Sequence, residues 1–142
     1  MEKKFLLPGE YHITKKPLNL VTVLGSCVSV CLFNKNKGMA AMNHFVFPEG
    51  TNIPKIDHGR YGNTSLPLIT NSLFALDANP NNYTAQIYGG ASPLDTNGNA
   101  TQTRIGERNI QAAENFLAQS GIKVSARNTG NKRGYRIYFD SS

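Results

Sequence analysis

Cys27 follows a Gly-Ser pair directly, in the stretch LGSCVSVCLF at residues 24–33. A cysteine that only fills a core has no need of a turn-forming pair before it. A reactive cysteine does, because its sulfur must stand at an accessible bend and lose its proton. A free thiol has a pKa of ~8.5, so only a few per cent is ionised at neutral pH. Nearby backbone N–H groups or an imidazole make up the difference. Gly25 and Ser26 allow a tight turn after the apolar run NLVTVL, leaving N–H groups around Cys27 free as an oxyanion hole. Ser26 and Val28 are the flanking candidates for that task. The stretch VSVCLF is read as a short helix beginning near Cys27, with a strand as the local alternative.

A base must come from elsewhere. The histidines are His12, His44 and His58. In MAAMNHFVF (39–47), Ala40, Met42, His44 and Val46 fall on one face of a strand. From the residues alone, His44 is a satisfied core histidine, a base for Cys27, or a metal ligand. His58, in IDHGRYG, reads as a loop residue. A zinc site from Cys27, Cys31, His44 and His58 is disfavoured, because C-x3-C is not a knuckle spacing and nothing else has ligand spacing. Cys31 reads as a small buried hydrophobe.

The elements that must position these groups are legible from pattern. NLVTVL (19–24), MAAMNHFVF (39–47), TAQIYGG (84–90), KVSAR (123–127) and YRIYFD (135–140) read as strands. A helix is predicted from about Asn63 to Leu76, with Leu66, Ile69, Leu73 and Leu76 on its apolar face. Asn63 as N-cap would put Pro67 in the first turn. A second helix is predicted from about Ile105 to Ser120, with Ile110, Ala113 and Leu117 inward, Glu107 and Glu114 outward, and Gly121 as its stop. Strands outnumber helices without strict alternation. The expected class is α+β: one domain over 1–142, mixed sheets in layers, the two main helices packed outside.

At 142 residues the chain is long enough for a sizeable core. No apolar stretch approaches the roughly 18 residues of a membrane span, the basic start MEKKFLL is too short for a signal peptide, and two cysteines make no disulfide framework. A cytoplasmic protein without membrane insertion is expected. The net charge of +6 is spread rather than clustered, which argues against nucleic acid and fits a solvated surface or an acidic protein partner.

The segments TVLGSCVSVCLF, GMAAMNHFVFP, RYGN, IYGGAS, IGERNI and GNKRGYRIYF, in this order, resemble the CheD family of chemoreceptor glutamine deamidases. The resemblance runs from about Pro8 to Phe139. It implies hydrolysis of glutamine side-chain amides on methyl-accepting chemotaxis receptors to glutamate and ammonia, with some action on receptor methyl esters. It implies a cysteine–histidine–threonine set, which maps onto Cys27, His44 (in Met42-Asn43-His44 before Pro48) and Thr22. His44 then becomes the base and Thr22 the group that orients its ring. Gly89, Gly90 and Asn109 fall in segments near the family's active-site side. No cofactor or metal is implied. The implied partners are receptor cytoplasmic domains and the CheC phosphatase, which in this family docks over the active site. The alternative is a catalytically weak adaptor that binds receptors or regulates CheC. Another thiol hydrolase is disfavoured because no Asn or Asp partner for the histidine is recognisable. Two departures from the family pattern are expected to touch recognition only: the loop RNTGN (127–131) and the ending FDSS.

Overall fold

A computed structural model describes residues 1–92 and 100–142, with side chains of the second segment described from 105 onward. Among the described residues, two sheets and two α-helices form three layers. The larger sheet has the order β2 (Tyr11–Thr14), β5 (Met39–Asn43), β4 (Val28–Asn34), β6 (Tyr83–Gly89), β7 (Lys123–Thr129). The smaller has the order β1 (Lys3–Phe5), β3 (Asn19–Leu24), β8 (Tyr135–Asp140). Both mix parallel and antiparallel pairs. The helices α1 (Gly62–Phe74) and α2 (Ala100–Ser120) cover the outer face of the larger sheet. The mixed α+β architecture expected from the sequence is the one observed.

The central strand β4 explains the layering. Val28, Val30 and Leu32 point to the helices and join Ile69, Leu73, Ala113 and Leu117 in one core. Cys27 and Cys31, on the opposite face, join Leu20, Leu24, Met42, Ile137 and Phe139 in a second core between the sheets. A strand buried on both faces loses polar alternation and reads as a continuous apolar run. That is why VSVCLF is ambiguous locally. The expected helix starting at Cys27 is corrected here. Seven residues of this segment pair with β6, from Val28 opposite Gly89 to Asn34 opposite Tyr83. The β-branched residues fit that doubly covered ladder better than a short isolated helix.

Other boundaries shift for local reasons. The strand expected to Phe47 ends at Asn43, where the Asn43 side chain, not a main-chain carbonyl, accepts the Val30 N–H at 2.8 Å. Pairing resumes as an isolated bridge between Val28 and Phe45. Helix α1 starts from Tyr61 as N-cap rather than Asn63, so Pro67 is inside the helix and leaves the Asn63 carbonyl without its helical donor. The Asn63 side chain instead clasps the N–H and carbonyl of Gly50. Leu76 lies beyond the helix and is 49% exposed, not on its buried face. Helix α2 begins before Ile105 and ends at Ser120, with Gly121 at φ 73° as its stop. Strands β1 and β2 carry no apolar run and escape pattern reading.

Ile69 is fully buried between α1 and the larger sheet. Ile69→Ala is expected to cost ~2–5 kcal/mol, read as a lowered urea midpoint at unchanged slope.

Candidate functional site

Cys27 sits at the turn between β3 and β4, half-buried, with its thiol free. The turn is fixed from the neighbouring strand. Gly90 N–H donates to the Cys27 carbonyl and Ala91 N–H to the Gly25 carbonyl, each at 2.8 Å. Gly89 and Gly90 have φ of 103° and 68°. A Cβ at Gly89 would run into the Cys27 carbonyl oxygen, and one at Gly90 into Ile110. The glycine pair is therefore both a strand exit and the close contact that seats the cysteine turn. The Gly89 N–H donates to Tyr135 Oη, and that hydroxyl donates in turn to the Asn128 carbonyl. The expected use of the Val28 N–H as an oxyanion donor is corrected: that hydrogen is committed to the Phe45 carbonyl at 3.1 Å. The Cys27 N–H has no such backbone acceptor.

His44 follows β5 and is 2% exposed. Its main chain is tied to the N-terminal segment, donating to the Glu10 carbonyl (3.1 Å) and accepting from the Gly9 N–H (2.8 Å). Its Nδ1 lies 2.7 Å from Thr22 Oγ1. The Thr22 hydroxyl has one hydrogen, and it donates that to the Leu6 carbonyl at 2.7 Å. Toward His44 the threonine can only accept. Nδ1 therefore carries the ring hydrogen, and Nε2 presents a lone pair. Nε2 is buried and has no hydrogen-bond partner among the described residues. A neutral ring with a free Nε2 is the form a general base requires.

The strand register brings the two side chains together. Cys31 pairs with Met42 and Val28 with Phe45, so Ser29 lies opposite His44 and Cys27 is its diagonal neighbour on the same face. Diagonal residues stand ~7–8 Å apart at Cα, within reach of long side chains. That face looks toward β3, which supplies Thr22. Cys27, His44 and Thr22 thus meet at one end of the layer between the sheets. Ser29 Oγ is also buried there without a partner among the described residues.

Burial governs the protonation states. It pulls the His44 pKa down from 6.5 to about 4. It also pushes the Cys27 thiol up, offset in part by the thiol's own backbone N–H and by the Arg60 guanidinium. At neutral pH the resting pair is thiol and neutral imidazole, not a preformed ion pair.

Asn109, on α2, donates from Nδ2 to the Ser26 and Val46 carbonyls at 2.9 Å each. Ser26 is half-buried, and its carbonyl is the group held. Arg60 and Tyr135 were not singled out from the sequence. Both act across distances that no local pattern reports, although Arg60 lies in the RYGN motif. The remaining candidates stay apart from this chemistry. Cys31 is fully buried, which pushes its thiol pKa far up. His12 lies on edge strand β2, its pKa lowered by partial burial and by Lys4. His58 holds the Ile53 carbonyl within its loop at 3.0 Å. Among the described residues no group of three His, Cys, Asp or Glu could hold a metal ion, and no helix is long and apolar enough to cross a membrane.

His44 has a depressed folded pKa, so the unfolded chain binds a proton that the folded chain refuses between about pH 6.5 and pH 4. Folding stability is expected to be full above pH 6.5 and to lose roughly 3 kcal/mol as pH falls to about 4. Urea titrations of the wild type and His44→Gln across that range check this. The variant should show the shallower pH dependence.

The family profile described as "CheD chemotactic sensory transduction" matches residues 47–142, C-terminal to Thr22, Cys27 and His44. A protein of Thiobacillus denitrificans named "Probable chemoreceptor glutamine deamidase CheD" is 36% identical over 137 residues, covering 94% of this chain and 66% of its own. A protein of the same name from Sulfurimonas denitrificans is 32% identical over 141 residues, covering 99% and 89%. Among solved structures, Neisseria meningitidis protein NMB0706 aligns with 86% of this chain and 53% of its own at a TM-score of 0.48 and 13% identity. The chain spans just under two thirds of the length of the first of these relatives. With its family profile and its relatives in agreement, the chain belongs to the CheD family.

Proposed function

We propose that this chain, acting as a single domain in the cytoplasm, hydrolyses glutamine side-chain amides of chemoreceptor cytoplasmic domains to glutamate and ammonia, with Cys27 as nucleophile. The observation that carries this reading is the hydrogen-bonded chain from the Leu6 carbonyl through Thr22 to His44, which leaves Nε2 as an unoccupied base on the face of Cys27. The names of the relatives supply the substrate class.

The steps follow from the residues. His44 Nε2 takes the thiol proton as sulfur attacks the carboxamide carbon. The oxyanion is met by a backbone N–H of the cysteine turn. His44 then returns the proton to the leaving nitrogen, and ammonia departs. Water, deprotonated by His44, attacks the thioester, and the product acid leaves as thiol re-forms. Thr22 keeps the ring in the Nδ1–H tautomer throughout, the third-member role of triad logic with a hydroxyl in place of a carboxylate. No metal or cofactor enters these steps.

Substrate approach favours an acidic protein. Arg60 lies near the thiol, and the exposed Lys132 and Arg133 belong to the turn whose Gly134 abuts Leu24 and Gly25. A negatively charged helical surface is steered to such a rim. The same face is the docking place for a CheC-type phosphatase in this reading.

Receptor cytoplasmic fragments incubated with the protein should gain the mass of an amide-to-acid exchange at particular glutamines. Cys27→Ala should give none, and His44→Gln should slow the exchange by about 10²–10⁴-fold. Equal mass traces for wild type and Cys27→Ala would sink the enzyme reading and favour an adaptor. At low substrate the rate should also fall as salt rises from low ionic strength to ~0.15 M.

A further inference from the structure

Asn109 is a fully buried side chain (0% exposed) in α2. Its Nδ2 faces two carbonyl oxygens, those of Ser26 and Val46, at 2.9 Å each. Only the nitrogen end of a carboxamide can donate to both, so its partners fix its orientation. Its Oδ1 is left buried without a hydrogen-bond partner among the described residues. Buried polar atoms are rarely left so, and this one is the consequence of turning both N–H bonds toward the cysteine and histidine segments.

The two carbonyls are not arbitrary. Ser26 precedes Cys27. The register that pairs Val28 with Phe45 sets Cys27 across from Val46. Asn109 thus ties β4 and the His44 segment together one step past their last backbone bridge. A trans peptide points its C=O and N–H in opposite directions. With the Ser26 carbonyl held toward α2, the Cys27 N–H must point away from α2. No backbone carbonyl takes that hydrogen. It lies beside its own sulfur, where it favours the thiolate. The neighbouring Val28 N–H is already engaged.

We propose that Asn109 is a positioning residue for acyl transfer: by holding the Ser26 and Val46 carbonyls, it aims the Cys27 N–H at the oxyanion formed when Cys27 attacks a carbonyl carbon. The proposal rests on the reading of Cys27 as nucleophile, but not on which amide is the substrate. In the step concerned, the sulfur–carbon bond forms and the carbonyl π pair moves to oxygen. The thiol proton passes to His44 Nε2. The oxygen pair then returns as the leaving group departs with its bonding pair.

Two small probes separate positioning from folding. Acylation by p-nitrophenyl acetate passes through an oxyanion and releases p-nitrophenolate. Alkylation by iodoacetamide displaces iodide at a saturated carbon and forms none. In Asn109→Asp and Asn109→Ser, the acylation rate is expected to fall about 10²-fold, the effect of losing one oxyanion donor. The rate and pH profile of Cys27 alkylation should stay those of the wild type. Unchanged acylation in a variant that alkylates normally overturns the proposal, as does a parallel fall in both rates. Should neither variant fold, the wild type decides. Thioacylation should slow hydrogen exchange at the Cys27 N–H, and unaltered exchange there overturns the proposal. A wild type that is acylated yet leaves receptor glutamines intact overturns the deamidase reading alone.

Discussion

The structure depends on how an imidazole is kept neutral inside a protein. His44 is buried between two sheets, where its charged form is penalised and its pKa falls to about 4. A buried ring must still satisfy its N–H. Thr22 does so with an oxygen whose only hydrogen is already given to Leu6. A carboxylate in the same place would be a second buried charge and would stabilise the imidazolium. A hydroxyl fixes the tautomer without stabilising the charge. The consequence reaches the sulfur, because a thiol facing a weak base stays protonated at rest. Oxidation follows thiolate character, so this arrangement also shields Cys27 from it.

That chain of bonds needs four segments in register. The residue after β1 supplies the Leu6 carbonyl, β3 the threonine, the residue after β5 the histidine, and the turn before β4 the cysteine. The small sheet exists to bring the first two over the face of the large one. Later segments then lock the cysteine turn. Gly89 and Gly90 let β6 close against the Cys27 carbonyl, and α2 reaches the same turn through Asn109. The reacting residues thus lie within the first 44 positions, while their geometry is held by residues up to 135.

The sequence made the chemistry more legible than the contacts. A Gly-Ser-Cys turn after an apolar strand and a period-2 count that set His44 beside Met42 are local signals, and both correspond to the observed face. The strand β4 was misread because burial on two faces erases the alternation that marks a strand. The partnership of Thr22 with a carbonyl sixteen residues upstream has no signature in residue type. Likewise Val28 looked available as a donor until the bridge to Phe45 was on the page. Asn63 resembles an N-cap by composition, but its side chain is drawn to Gly50 across a loop, and Tyr61 caps instead. In each case a hydrogen bond over a long sequence separation overrode a sound local preference.

A neutral resting pair also says where the barrier must be lowered. An ordinary thiol at ~8.5 beside a histidine at about 4 differs by more than four pKa units, about 6 kcal/mol against proton transfer. The resulting ion pair recovers roughly 4 kcal/mol if the charges stand ~4 Å apart at an effective dielectric of about 20. About 2 kcal/mol remains. One well-placed oxyanion donor contributes ~2.7–4 kcal/mol, but only once a carbonyl is under attack. The sums close only when substrate is present. Deprotonation of Cys27 is then coupled to bond formation rather than preceding it, and the orientation of a single backbone N–H matters as much as the identity of the base.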